Sequence, residues 1–313
     1  MSSASTIHAA ADFKHGSGFV EQAEGLASLV ACWTFNEPPG TSRRAVAGVD
    51  TFDLLEVGGE VPRVGDAPIG GHAVRFDSGS HLQIAHDLTG ALNIAGPHAA
   101  LSIFAVVRLD SYDLRGGTVA GMWNEGLGKG DDSGARQYAL LLDMPWYGGP
   151  KRVTPHISSE GGATRRGDGS MLPWCADYAA TREPYPVGRW CSVGMTYDGD
   201  YISAYLDGVA EPWAQGADTQ SRDDRYFTNE GPDGSDRGMN PYYHGRGVFR
   251  YDPARHADTK PGGGSPFVVG AREVRGQAGS EPLAGDLAGL AVFDRALTGD
   301  QMLALHRSVI EDG

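Results

Sequence analysis

The sequence predicts an all-β chain folded as an antiparallel two-sheet sandwich, with long loop insertions and a short C-terminal helix. Three observations predict it. Twelve short segments alternate apolar with polar residues or run apolar, and Gly, Asp and Pro fall between them. No helix-period segments separate these strands, which argues against parallel βαβ units. The last strand, Leu287 to Phe293, runs into a helix whose start carries Thr298 as N-cap and Gln301 three residues later, a capping-box pattern.

In chain order, residues 1–27 read as a loosely ordered arm or a short helix packed outside the sandwich. Strands are predicted at 28–35, 52–57, 72–76, 81–85, 99–108, 117–123, 136–143, 151–158, 188–197, 201–207, 266–271 and 286–293. Trp33 and Trp190 sit inside strand patterns and read as core. Two insertions, 159–187 and about 210–265, interrupt the series. The second holds Trp213, Tyr226, Phe227, Tyr242, Tyr243, Phe249 and Tyr251, and so many aromatics disfavour disorder, so both loops are expected to wall a site. The closing helix takes its apolar face from Met302, Leu303, Leu305 and Ile310. Residues 28–313 are read as one large domain.

Bulk numbers narrow the classes. The 46 glycines and 18 prolines are turn chemistry, because 40% of the 313 residues are hydrophobic and supply a core. A net charge of -14 argues against a nucleic-acid partner, since phosphate binding needs a basic footprint. No run approaches the roughly 20 apolar residues that cross a bilayer. Met1 to Gly25 has no apolar core of signal-peptide length, so the expectation is a cytoplasmic protein as written, or a secreted one from which a leader has been removed. Of three cysteines, Cys175 and Cys191 are the pair for a bridge in an oxidising compartment; free, partly buried thiols are the other reading.

The run Phe293-Asp294-Arg295-Ala296-Leu297-Thr298, with its strand before and helix after, resembles the closing segment of laminin-G-like domains of the concanavalin A-like lectin and glucanase superfamily. Ala73 to Leu82 resembles the family's early strand-turn-strand, and Trp190 to Gly208 its central hairpin; with Leu29 to Phe35 the resemblance spans 28–310. It implies a jelly roll of the concanavalin A-like kind. The superfamily hosts sugar-binding modules, glycoside hydrolases, polysaccharide lyases and protein-binding domains, so function must come from the site. Calcium is common in such domains. Asp131 and Asp132 in the turn Gly130 to Gly134 offer the oxygen ligands it prefers, as does Asn229 to Asp236, although neither has the spacing of a defined calcium loop; plain solvated turns are the alternative.

Strand periodicity supplies the candidate chemistry. Gln137, Ala139, Leu141 and Asp143 share one face of their strand, and Arg152, Thr154, His156 and Ser158 one face of the next. If these strands are neighbours, Gln137, Arg152 and His156 project into one groove; otherwise His156 is satisfied within the sheet or faces solvent. The functional version is a lyase on an acidic glycan. His156 would remove the proton beside a uronate carboxylate, Tyr178 would protonate the leaving oxygen, and Gln137 with Arg152, Arg165 or Arg166 would neutralise the carboxylate. This set is similar to the jelly-roll lyases in composition, without their sequence motifs.

A hydrolase needs two carboxylates about 5 to 10 Å apart. The alternating Glu, Asp, Glu strand of the retaining jelly-roll glucanases does not occur here, which leaves Asp143 with Asp177 or Glu125. Sugar binding alone needs an aromatic face and a few fixed polar groups, for which Trp123-Asn124, Trp146-Tyr147, Trp174, Asn240, Tyr242, Tyr243, Arg165 and Asp177 qualify; anchoring of loops on the sandwich is the alternative for each aromatic. The leading expectation is therefore a glycan held in the groove of the concave sheet, an oligosaccharide or polysaccharide, with lyase, hydrolase and protein-binding domain as alternatives.

Overall fold

The computed structural model describes residues 17–310 apart from 78, 127–133, 145–148, 163, 166–170, 173–176, 212–228, 231–235, 238–245, 261 and 275. Two antiparallel sheets pack face to face as a β-sandwich. One has eight strands, running Ile202–Leu206, Trp190–Tyr197, Leu101–Leu109, Gly285–Phe293, Leu29–Trp33 and Ala47–Gly48, with Gly71–Phe76 also on Gly285–Phe293 and Arg63–Ala67 beyond it. The other has seven, in the order Gly149–Ile157, Tyr138–Met144, Gly117–Met122, Phe267–Val269, His81–Ile84, Asp53–Val57 and Arg43–Arg44.

Alternation along each strand divides its residues between two environments. From Gly285–Phe293, Leu287, Leu290 and Val292 enter the inter-sheet core, while Ala288, Ala291 and Phe293 face away from it. Hence all nine residues of this strand are buried. Trp33 lies in the inter-sheet core and stacks on Phe267, ring centroids 5.8 Å apart. Trp190 is half-buried and donates Nε1 to Asp66 O at 3.1 Å, so it seals the far face of the eight-stranded sheet.

That far face is closed by two helices. Ser17–Glu24 applies Phe19 and Ala23, and Gly299–Arg307 applies Met302 and Leu305, to Phe104, Val106, Ala291 and Phe293. The second helix begins as its sequence predicts, with Thr298 Oγ1 accepting from Gln301 N and Gln301 Oε1 from Thr298 N. Cys32 and Cys191 are buried free thiols, Cys32 pushed up to about 12 by burial and by nearby Glu24. Cys175, the other half of the bridge considered above, lies outside the described residues. Among the described residues no helix is long and apolar enough to cross a membrane.

Candidate functional site

With one sheet face closed by helices, the outer face of the seven-stranded sheet is where the polar constellation gathers. Gly149–Ile157 and Tyr138–Met144 are neighbours with His156 opposite Ala139 and Thr154 opposite Leu141. Tyr138, Leu140, Leu142, Val153 and Ile157 go to the inter-sheet core, whereas Trp123, Ala139 and Leu141 form a separate cluster on the outer face. Gln137, Thr154, His156 and Ser158 therefore point outward, as period-2 alternation requires. The rule stops at Asp143: a bulge between Leu142 and Met144 and a φ of 57° turn it out of register, and its carboxylate instead accepts from Leu114 N, Arg115 N and Lys151 N. Asp143 is spent on holding backbone together.

Residues 177–181 run along the open edge of Gly149–Ile157, with Ile157 N donating to Asp177 O and Ala179 N to Pro155 O. This places Tyr178 directly beside His156. Their rings stack in parallel, centroids 4.7 Å apart, and Trp123 meets the imidazole edge-on at 5.6 Å. All three are buried, His156 being 1% exposed. His156 Nδ1 lies 2.8 Å from Thr154 O. Burial, with Arg272 and Arg136 adding to it and the Thr154 carbonyl and Glu125 opposing, pushes the imidazole down to about 3, so the ring is neutral at physiological pH.

Behind the ring cluster lies a charged buttress. Glu125 accepts from Trp123 Nε1 at 3.2 Å and pairs with Arg272 at 3.3 Å and Arg136 at 3.5 Å. Burial alone would raise the Glu125 carboxyl; the two guanidiniums and the indole outweigh it and hold it at about 2. Arg272, 3% exposed, also reaches Thr118 Oγ1, Gly116 O and Glu281. The Arg136 guanidinium sits 5.9 Å from the Trp123 ring centre. This network fixes Trp123, and through it the orientation of His156.

An open groove adjoins the patch. Residues 91 and 93–100 with Arg250 line one part; Gly96, Pro97, Ser159, Glu160, Arg246, Phe249, Arg250, His256 and Lys260 line the next, and Gly96, Pro97 and Arg250 belong to both. Phe249 N donates to Ser158 O, and Val248 exchanges backbone bonds with Gly96, so the 246–250 segment is strapped across the end of the His156 strand. Asn93 joins groove to patch, since it lines the groove and its Oδ1 takes Gln137 Nε2 at 2.8 Å. The groove's cations have acceptors of their own. Arg246 pairs with Asp177 at 3.6 Å, Arg250 donates to Ala95 O at 2.7 Å, and Lys260 donates to Gly134 O and lies 5.1 Å from the Phe249 ring centre. Gly134 itself sits at φ +81° with its backbone against Asn124 O, where a Cβ would collide.

Of the residues singled out in the sequence, His156, Tyr178, Gln137 and Trp123 come together here. Arg152 is half-buried two positions along the strand from Thr154. Asp177 is 1% exposed and bound to Arg246. Asn124 is turned inward, its Oδ1 accepting from Gly126 N at 2.6 Å. Trp146, Trp174, Asn240, Tyr242, Tyr243, the side chain of Arg165 and the metal candidates Asp131 and Asp132 lie outside the described residues. Sequence reasoning missed Arg272, Arg136, Asn93, Arg246 and Lys260. Arg272 begins the three-residue strand Arg272–Val274 and Arg136 stands two positions before Tyr138–Met144, and only the fold brings them to Glu125.

No family model matches this chain, and no curated protein does. Among solved structures it is similar to Trypanosoma rangeli sialidase, at 14% identity and a TM-score of 0.46 over 90% of this chain and 33% of that one. It is similar to domain 4 of AbnA, an extracellular GH43 arabinanase from Geobacillus stearothermophilus in complex with arabinotriose, at 14% identity and a TM-score of 0.42 over 89% and 98% of the two chains. The binding domain of Paraclostridial Mosquitocidal Protein 1 aligns at 11% identity and a TM-score of 0.48 over 90% and 52%. The chain spans about a third of the length of the sialidase it matches. At these scores the likenesses say nothing of this chain's ligand; the sandwich class rests on its own two sheets.

Proposed function

We propose that this β-sandwich binds a carbohydrate in the groove between Gly96-Pro97 and the 246–260 segment, which Asn93 joins to the buried Gln137–His156 patch behind it. One observation carries the reading: an open groove reaches, through Asn93, a buried aromatic and amide cluster that holds polar atoms without partners. Sugar sites combine ring faces with a few fixed polar groups in this way, and the laminin-G-like resemblance points to the same class. Calorimetric titration across a panel of neutral and acidic oligosaccharides tests it. Asn93→Ala and Arg250→Ala are each expected to weaken binding roughly tenfold, the value of one lost hydrogen bond. Undiminished binding in both would place the site elsewhere.

A second reading, β-elimination from an acidic glycan with His156 as base, is favoured by the stacking of Tyr178 on that ring and by its unpartnered Nε2. Absorbance at about 232 nm, which follows the unsaturated product of elimination, would rise with time on an acidic polysaccharide and stay flat for His156→Ala. No rise in the wild-type protein removes this reading.

A further inference from the structure

Four buried side-chain atoms on adjoining positions of the outer sheet face have no hydrogen-bond partner among the described residues: His156 Nε2, Gln137 Oε1, Thr154 Oγ1 and Ser158 Oγ. Their residues are 0–1% exposed. Residues 154, 156 and 158 follow one another on one side of the strand, and Ser158 lies against Gln137, to whose carbonyl its N–H donates at 2.8 Å. Same-face neighbours in a sheet stand about 5 to 7 Å apart, the span of one sugar ring's hydroxyls. Buried polar atoms are rarely left unpaired, so a cluster of them points to a ligand or ordered solvent.

The polarity of the cluster is set. Thr154 O can only accept, so the His156 Nδ1 that meets it carries the ring proton, and Nε2 of the neutral imidazole is left as an acceptor. Gln137 spends one amide N–H on Asn93 Oδ1 and presents its side-chain carbonyl oxygen. Two fixed acceptors thus lie among two hydroxyls that adapt. A carboxylate or sulfate would meet His156 Nε2 and Gln137 Oε1 acceptor against acceptor, with only the two hydroxyls able to donate to it, and would bring a charge into a buried site, where it is heavily penalised unless paired. The nearby cations are already engaged by protein oxygens: Arg136 and Arg272 by Glu125, Arg246 by Asp177, Arg250 by Ala95 O and Lys260 by Gly134 O.

We infer that this cluster takes the hydroxyl groups of a neutral sugar as hydrogen-bond donors and discriminates against uronic and sulfated sugars. The inference rests on the reading that the groove binds carbohydrate, and it runs against the lyase alternative, whose substrate would be anionic.

The test uses the full chain with 15N-labelled histidine, titrated with maltotriose, cellotriose and xylotriose as neutral probes and trigalacturonate as the acidic one. At pH 7 the free protein should show His156 protonated at Nδ1 and bare at Nε2, and at least one neutral trisaccharide should shift the Nε2 resonance and bind roughly tenfold or more tightly than trigalacturonate. Gln137→Leu should lose roughly tenfold in that affinity; should it fail to fold, Thr154→Val removes only a hydroxyl and serves in its place. Equal or tighter binding of trigalacturonate would leave the carbohydrate reading standing and overturn this one. A proton on Nε2 in the free protein, or neutral-sugar binding that leaves Nε2 unmoved, would overturn it too. Absence of binding by all four with the tautomer as stated would instead remove the carbohydrate reading, and this inference with it.

Discussion

The outer faces of the two sheets are both buried, yet by opposite chemistry. On the eight-stranded sheet, Phe104, Val106, Ala291 and Phe293 receive Phe19, Ala23, Met302 and Leu305 from two helices, and Phe19 meets Phe104 at 5.9 Å. A polar pair inside that layer is satisfied, Ser192 Oγ and His306 Nδ1 lying 3.0 Å apart. On the seven-stranded sheet, the apolar part shrinks to Trp123, Ala139 and Leu141, and the positions around it are Gln137, Thr154, His156 and Ser158, with four atoms that have no partner among the described residues. The first face is built for stability by area removed from water. The second gives up hydrogen bonds that an apolar replacement would not need, and such concessions mark functional sites.

The widest contrast comes from emptying the helix-covered face. Phe104→Ala deletes a ring that is 1% exposed, and should cost about 3–5 kcal/mol in denaturant unfolding while leaving glycan affinity unchanged in whatever protein remains folded. A coupled loss of affinity would show that the two faces are not independent.

Next in size is a pH effect confined to the polar face. His156 is held below its ordinary 6.5, at about 3, so the unfolded chain takes up the proton first and wild-type stability should fall as pH drops from about 6.5 towards 3. Glu125, held at about 2 against an ordinary 4.5, contributes stability that is full above 4.5 and is lost as pH falls towards 2. His156→Phe should erase the first decline and keep the second, read from unfolding curves taken at intervals between pH 7 and 3. Parallel wild-type and variant curves over that range would mean that the imidazole does not stay neutral in the fold. Among the described residues, Arg272, Arg136, Glu125 and Tyr178 are the titratable groups facing the ring, and they are unchanged in the variant.

The smallest effect has the opposite sign. Thr154→Val keeps the shape and removes a hydroxyl without a partner, so it should raise stability by about 1 kcal/mol in the unliganded protein. A loss of similar size would show the hydroxyl to be hydrogen-bonded, which would make the two faces more alike than they look.

Much of the frame was legible in the chain. All twelve predicted strands exist, with ends moved by a few residues, because period-2 alternation between Gly and Asp turns is a local signal. The cap at Thr298 was equally plain, since hydroxyl and amide are three residues apart. Short edge pairings such as Arg43–Arg44 with Asp53–Val57 were not seen, for two residues carry no period. At the site, the shared face of Gln137 and His156 followed from counting by twos, as did the company of Thr154 and Ser158. The expectation for Asp143 did not hold, because a bulge with positive φ breaks the count at the strand's end.

What the sequence determined by itself is therefore the sandwich class, the identity of most strands, the capped closing helix and the outward direction of one polar row. Each depends on residues within a few positions of one another. Tertiary structure alone decided that Tyr178 stacks on His156, that Glu125 is clasped by Arg136 and Arg272, and that Arg250 and Asn93 share a groove. These are contacts between residues from 11 to 157 positions apart, set by which strands become neighbours and which loops cross their ends. It also decided that His156 is shut away rather than displayed. Periodicity tells which side of a sheet a side chain takes; burial depends on what the rest of the chain lays over it.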